Sequence, residues 1–200
     1  MTTIHYEKEI NVKASYDVIV AGSGPAGICA AVAAARNGSN VALVERYGVV
    51  GGNLTAGYVG PVLGMVGKGT MRDELVNLLG IPENDMIGET GKAHDFERAK
   101  LVLAEFVDRE NIDVYLQSAV YDVIKEDNAV KGLILATNEG QFALTASVVI
   151  DATGDAVVSY LAGADVEKGR EDGLMQPVTL EFTVDGVDEN KGVICIGDVD

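Results

Sequence analysis

Three glycines and one glutamate near the N-terminus have the types and spacing of a dinucleotide-binding site. Gly22, Gly24 and Gly27 form the pattern G-x-G-x-x-G, and Glu45 follows at close to the usual spacing of about 20 residues. The first glycine allows a sharp turn, the second lets backbone approach a pyrophosphate, and the third lets a helix pack close to a sheet. A carboxylate at the position of Glu45 can bind a ribose hydroxyl, and it disfavours the 2′-phosphate of NADP. The pattern therefore predicts a dinucleotide site.

The elements that must position these residues can be predicted from the surrounding sequence. The apolar run Asp17–Ala21 predicts a buried parallel strand. Pro25 suits the first position of a helix, which continues through Ile28–Ala35 and directs its free N–H groups and positive dipole end at the phosphates. Val41–Val44 predicts a second strand that ends at Glu45. A glycine-rich turn in an ordinary βαβ unit would leave the glutamate unexplained.

A second glycine cluster, residues 51–57, follows closely after Arg46. Gly51 and Gly52 permit close backbone approach, and Asn53 and Thr55 can supply hydrogen bonds. NAD alone has no need of such a cluster, whereas a dinucleotide that carries an isoalloxazine beyond the pyrophosphate does. The alternative interpretation is a flexible loop.

The apolar run Val148–Gly154 predicts a strand that ends in a turn of small residues, the third such group in the chain. Gly154 permits close approach of a ligand. Asp155 either caps the following helix, which should end near Gly163, or contacts a cofactor, and both interpretations remain open.

The middle of the chain predicts two helices and a group of strands. Helices are expected at Met71–Leu79 and Phe96–Arg109, with Asp95 as the cap of the second, and a strand at Asp113–Leu116. His94 precedes that cap, and we interpret it as a capping or solvent-exposed residue. Three strands joined by tight polar turns predict a β-meander at Tyr121–Lys125, Ala129–Ala136 and Gln141–Thr145.

Composition narrows the functional classes. The chain has 200 residues, of which 48% are hydrophobic, and a net charge of −16, which argues against nucleic acid or an anionic membrane as partner. Cys29 and Cys195 form no disulfide framework, and we interpret Cys29 as a small buried hydrophobe. The charged residues 1–13 lack the apolar region of a secretory signal. These features predict a cytoplasmic protein, and the sequence indicates no metal site.

The motifs together resemble a known family. GSGPAG at 22–27, then Glu45 and Arg46, then GGNLTAG at 51–57 are similar to FAD-dependent oxidoreductases with a glutathione-reductase-type Rossmann domain. The run GGNLTAGYVGPVLGM resembles the branch related to fumarate reductase and succinate dehydrogenase flavoproteins. The resemblance implies an α/β, Rossmann-like FAD-binding domain, in which a parallel sheet carries helices on one face and a three-stranded β-meander on the other.

The resemblance also implies the cofactor, the chemistry and the site. FAD would be the cofactor, and a hydride would pass between a small organic substrate and flavin N5. The main chain of Val120 would contact adenine, and Ala152-Thr153-Gly154 resembles the A-T-G motif beside the adenosine and pyrophosphate. The predicted cofactor-binding residues are Gly22, Gly24, Pro25, Ala26, Gly27, Glu45, Arg46, Gly51, Gly52, Asn53, Thr55, Val120, Ala152, Thr153, Gly154 and Asp155.

The resemblance further divides the chain into 1–175, the FAD-binding domain with an N-terminal arm at 1–15, and 176–200, the start of an incomplete substrate domain. A strand is expected at Gln176–Gly186. Asp198 resembles a family residue that binds the ribityl chain, although a surface Gly-Asp turn is the favoured interpretation.

The sequence shows no proton-transfer group for the flavin, so the catalytic residues stay unknown. We expect a flavoenzyme fragment that is inactive alone and a homo-oligomer. The alternatives are an FAD-binding subunit that needs a partner chain and an NAD-dependent dehydrogenase.

Overall fold

The computed structural model describes residues 2–60, 62, 69–81, 94–182 and 185–186. Cys195 and Asp198, and most of the predicted start of a substrate domain beyond residue 182, lie outside these residues. None of the helices in the described ranges is long and apolar enough to cross a membrane.

A six-stranded sheet forms the centre of the molecule, in the spatial order β3-β2-β1-β6-β5-β4. Strands β1, β2, β3 and β6 are mutually parallel where they pair, and β4, β5 and β6 form an antiparallel meander. The strands are β1 (Val12–Ala21), β2 (Val41–Val44), β3 (Asp113–Tyr115), β4 (Ala119–Glu126), β5 (Ala129–Thr137) and β6 (Gly140–Asp151). The helices are α1 (Pro25–Arg36), α2 (Met71–Leu79), α3 (Phe96–Asp108) and α4 (Val157–Leu161), with a 3₁₀ helix at Gly52–Leu54.

The two faces of the sheet have separate cores because successive strand side chains point to opposite sides. On one face, Val20 and Leu43 pack against helices α1, α2 and α3. On the other face, Ile19 and Val44 pack against Leu133 of the meander, with α4 at the margin. The predicted arrangement, with helices on one face and the meander on the other, is therefore confirmed.

Two strands are longer than predicted. The sequence predicts Gln141–Thr145 and Val148–Gly154 as separate strands, but both belong to the single strand β6. Residues 143–145 pair with β5 on one side and with β1 on the other, so β6 is hydrogen-bonded continuously through the small residues at 146–147. For the same reason β1 begins at Val12, within the predicted N-terminal arm.

The helix ends follow from local residue types. Pro25 is the first residue of α1, and Gly38, with φ 86°, ends it in a Schellman arrangement, in which the N–H groups of Gly38 and Ser39 donate to the carbonyls of Ala35 and Ala34. The Asp95 carboxylate accepts from the Arg98 N–H at 2.9 Å and caps α3 as predicted.

The prediction of a strand at Gln176–Gly186 is wrong over the residues that the structure describes there. Residues 174–182 have no regular secondary structure, and Val178 and Leu180 are 98% and 85% exposed. The alternating pattern is that of a strand, but a strand forms only against a hydrogen-bonding neighbour, and none of the described strands extends alongside it.

Candidate functional site

A cleft of about 480 Å³ lies where β1, β2 and β6 end and the chain turns away from the sheet. This carboxyl edge is where open parallel sheets bind ligands. The predicted residues in its lining are Gly22, Gly24, Pro25, Ala26, Glu45, Arg46, Gly52, Asn53, Val120, Ala152, Thr153, Gly154 and Asp155. The predicted residues outside its lining are Gly27, Gly51 and Thr55. Thus stretches that are distant in sequence come together in one cleft.

The first glycine cluster, residues 22–27, shows why each glycine is needed. A Cβ on Gly27 would lie 1.8 Å from the carbonyl oxygen of Gly22, so only glycine lets α1 pack this close to the turn. Gly22 has φ 91°, and a Cβ there would lie 2.6 Å from the carbonyl oxygen of Ala152. A Cβ on Gly24 would meet no protein atom within 4 Å. Gly24 therefore offers bare backbone to a ligand.

The start of α1 presents hydrogen-bond donors to the same space. The first intrahelical bond runs from the Ile28 N–H to the Gly24 carbonyl at 2.9 Å, and Pro25 has no N–H. The N–H of Ala26, which lines the cleft, therefore has no partner within the helix. With the positive end of the helix dipole, it suits a pyrophosphate.

Glu45 follows β2 directly and is 5% exposed. Its Oε2 accepts from the Ser23 N–H at 2.9 Å and the Ser23 hydroxyl at 2.5 Å, and its Oε1 accepts from the Tyr47 N–H at 2.9 Å. A carboxylate has about four acceptor positions. Three are filled here, so one remains for a ligand hydroxyl.

The end of the cleft beside Val120 contains Tyr47, a residue that the sequence did not indicate. The Ser118 N–H donates to the Glu45 carbonyl at 2.9 Å, which extends the β2–β3 pairing. Tyr47 lines this end, and the Arg46 guanidinium lies 4.7 Å from its ring centroid and donates to its hydroxyl at 2.9 Å. The sequence signal for Tyr47 was its place just after a strand-ending carboxylate. The predicted site did not include Tyr47, because that prediction was based on motif glycines and on polar side chains.

The second glycine cluster packs on the first. The Gly51 N–H donates to the Ser23 carbonyl at 2.8 Å, and a Cβ on Gly52 would lie 3.0 Å from Gly24 Cα. Gly51 and Gly52 have φ values of 112° and 54°, a region in which glycine carries no Cβ penalty. Asn53 lines the cleft beyond them. The cofactor-facing surface thus continues past the pyrophosphate position.

Thr55 supports this loop from behind. It is fully buried, and its hydroxyl donates to the Val50 carbonyl at 2.7 Å. The structure therefore places Thr55 among the residues that fix the loop, away from the cleft.

His94 was interpreted as a capping or solvent-exposed residue, and this is wrong. It is 8% exposed, and its ring nitrogens lie 2.7 Å from the Leu54 carbonyl oxygen and 3.2 Å from that of Gly60. Asp95 alone caps α3. The partners of His94 belong to the loop of the second glycine cluster, so no local sequence signal could have shown them.

The Ala152-Thr153-Gly154 turn is fixed by Asp151, the last residue of β6. The Asp151 carboxylate accepts from the Thr153 hydroxyl at 2.6 Å and from the Ser159 N–H and hydroxyl, each at 2.8 Å. Burial by itself raises the pKa of Asp151, but the hydrogen bonds from Thr153 and Ser159 outweigh it and hold the pKa below its usual value. A charged carboxylate therefore holds the turn against Gly22.

Of the two interpretations of Asp155, the helix cap is wrong. Ala156 precedes α4, and the Val157 N–H donates to the Thr153 hydroxyl at 2.7 Å. Asp155 is exposed and lines the cleft. Among the described residues, no group of three or more His, Cys, Asp or Glu side chains could hold a metal ion.

The geometry fits FAD, and comparison with known proteins agrees. The family model for "FAD dependent oxidoreductase" matches residues 17–198. The chain therefore belongs to this family, and FAD is its cofactor. Gly24, the N–H groups at the start of α1, and Glu45 are the residues that would hold it.

The chain matches only part of the length of its relatives and of the solved structures that resemble it. The chain is 30% identical over 152 residues to a soluble pyridine nucleotide transhydrogenase of Marinomonas sp. (strain MWYL1), covering 70% of this chain and 30% of that protein. Thermovibrio ammonificans THI4 is similar in structure, with a TM-score of 0.56, 26% identity, and coverage of 74% of this chain and 61% of that one.

A flavocytochrome c3 fumarate reductase shares the fold, with a TM-score of 0.51 and 19% identity over 72% of this chain and 34% of that one.

Proposed function

We propose that this chain is the FAD-binding part of an oxidoreductase that passes a hydride between a small organic substrate and flavin N5. The observation that carries the proposal is that Glu45, Gly24 and Gly52 line one cleft. In the proposal, Glu45 meets the ribose, Gly24 the pyrophosphate and Gly52 the part of the cofactor that leads to the flavin. The flavin supplies the hydride chemistry when bound, and the protein binds and orients it.

Each part of the cleft has a role in this proposal. The carboxylate of Glu45 accepts from a ribose hydroxyl, and the N–H of Ala26 donates to the pyrophosphate. Val120 offers main-chain groups to adenine, beside the ring of Tyr47. Asn53 lies towards the flavin.

The substrate side needs more than the described cleft supplies. The chain spans 30% of the length of the transhydrogenase relative. A second candidate function is an FAD-holding module that works with another chain segment. The exposure of Val178, Leu180 and Phe182, which alternate as in a strand, supports this second candidate.

We also propose a cytoplasmic location for this protein. Cys29 is a free thiol that packs against the core between the sheet and helices α1, α2 and α3. Burial raises the pKa of this thiol and keeps it protonated. A free, unreactive cysteine supports a reducing, cytoplasmic environment.

The test is flavin content and flavin reduction. The purified protein should bind FAD with a visible flavin spectrum, and Glu45→Ala should weaken FAD binding by about tenfold or more, because it removes a charged acceptor. Glu126→Ala, at the exposed end of β4, is the matched control and should bind FAD like the parent.

Anaerobic titration with NADH, NADPH and small organic acids then separates the candidates. Bleaching of the flavin by one of them supports the oxidoreductase. Bleaching only after a second chain is added supports the module. A colourless protein that binds NADH and no FAD would overturn both.

A further inference from the structure

Ser23 lies between the first two motif glycines and contacts both of the other cofactor-binding segments. It is fully buried and outside the cleft lining. Its N–H and hydroxyl both donate to Oε2 of Glu45, at 2.9 and 2.5 Å. Its carbonyl accepts from the Gly51 N–H at 2.8 Å. One residue thus joins the first glycine cluster, the end of β2 and the second glycine cluster.

The hydroxyl of Ser23 determines where the Glu45 carboxylate can point. The backbone N–H groups of Ser23 and Tyr47 hold one oxygen each, and a carboxylate held by one bond per oxygen can still tilt. The hydroxyl adds a second, charge-assisted bond to Oε2. When all three donors are bound, the carboxylate cannot tilt, and its remaining acceptor position points in a single direction.

We propose that Ser23 is a positioning residue for recognition of the adenosine ribose, acting through Glu45. This inference rests on the proposed function, since it needs a ribose in the cleft. Alanine at this position would keep the backbone N–H bond and the Gly51 bond, and would lose only the hydroxyl. The serine side chain is therefore assigned to ligand selection, and the backbone to the fold.

The experiment measures binding of FAD, ADP, 2′-deoxy-ADP and 3′-deoxy-ADP by calorimetry to the parent and to Ser23→Ala. The parent should bind ADP more tightly than at least one deoxy analogue. Ser23→Ala should lose about tenfold in affinity for ADP and FAD, and little for that analogue, because the lost bond acts on the missing hydroxyl. Ser15→Ala, an exposed serine on β1, is the matched control and should change none of these values.

A double-mutant comparison supplies the second readout. If Ser23 acts through Glu45, Ser23→Ala should have no further effect on ADP binding in the Glu45→Ala background, where the acceptor of the Ser23 hydroxyl is gone. If Ser23→Ala fails to fold, Ser23→Gly removes the hydroxyl without adding bulk and takes its place.

The outcomes separate the two claims. A parent that binds neither FAD nor ADP overturns the proposed function. A parent that discriminates between ADP and the deoxy analogues, with a Ser23→Ala variant that keeps the same ratio, overturns the role of Ser23 alone. Equal loss for ADP and both deoxy analogues, or additive effects with Glu45→Ala, also overturns it.

Discussion

The two glycine clusters face the same cleft, yet they are held in different ways. In the first cluster the contacts are backbone on backbone: Gly27 packs on the carbonyl of Gly22, and Gly22 on that of Ala152. In the second, buried side chains hold the loop: Thr55 binds the Val50 carbonyl, and His94 lies against two further carbonyls. The first cluster is therefore specified by its own glycines, and the second depends on residues that lie outside the cleft lining.

This difference predicts that mutations will act differently in the two regions. In the first cluster, an added methyl group either breaks the packing or blocks the ligand, according to which glycine carries it. In the second cluster, loss of a supporting side chain leaves buried carbonyls without a partner. The following predictions run from the largest expected effect to the smallest.

Gly27→Ala should have the largest effect. Its Cβ would lie 1.8 Å from a backbone oxygen that cannot move without separating α1 from the sheet, so we expect a loss of about 3 kcal/mol or more in unfolding free energy. Gly24→Ala is the matched variant, because its Cβ meets no protein atom within 4 Å. It should unfold like the parent in urea and yet lose FAD binding. Equal stability of the two variants would contradict the account of the first cluster.

His94→Ala should come next. It removes the ring whose nitrogens lie beside the carbonyl oxygens of Leu54 and Gly60, so at least one buried carbonyl loses its donor, at a cost of about 1–3 kcal/mol. Thermal and urea unfolding measure the loss. The only other histidine, His5, has a side chain that is 88% exposed, and His5→Ala should leave the unfolding curve unchanged. An unaltered curve for His94→Ala would mean that the loop does not depend on it.

Thr55→Val should have a smaller effect. The substitution keeps the shape and removes the hydroxyl, so the Val50 carbonyl loses its bond at a cost of about 1 kcal/mol. FAD affinity should fall less than in Gly24→Ala, because Thr55 lies outside the cleft lining. Thr3→Val, in the exposed N-terminal segment, is the control. A Thr55→Val variant that lost all flavin while keeping its stability would instead make Thr55 a direct ligand.

Asp151→Asn should have the smallest effect, and one that depends on pH. The pKa of Asp151 is lower in the folded protein than its ordinary value of 3.8, so its charge adds stability above about pH 4, and this is lost as pH falls through the folded pKa. Urea unfolding from about pH 3 to pH 6 should therefore show a gap between parent and Asp151→Asn that closes in acid. Asp127→Asn, in the exposed β4–β5 turn, controls for the loss of one charge. A gap that widened in acid would contradict this assignment.

Local patterns were sufficient for α1 and β2. Pro25, Gly38 and the run Val41–Val44 each act within a few residues, and α1 and β2 begin and end where these signals place them. Gly22 and Gly27 also have the turn and packing roles that their spacing predicts, because those roles are set by the turn itself.

The remainder depended on contacts that are distant in the chain. Ser23 and His94 are polar residues whose partners become visible only after folding, and nothing in their neighbouring sequence distinguishes them from surface residues. β6 was divided in two because small residues interrupt its apolar pattern, while its pairing with both β1 and β5 keeps it intact. The segment at 176–182 shows the converse, a strand pattern without a pairing partner among the described residues.

The pairing of β1 also has a consequence for the order of folding during synthesis. Val18 pairs with Val41 in β2 and with Val148 in β6, so one side of β1 is completed early and the other only after more than half of the chain has followed. At translation rates of about 5–20 residues per second, that delay is on the order of 10 s, far longer than the closure of a short loop. During this interval the nascent chain presents an unpaired, apolar strand edge, which is the kind of surface that chaperones protect. The βαβ unit that holds the nucleotide is thus synthesised before β6, but its sheet is completed only after β6 has been made.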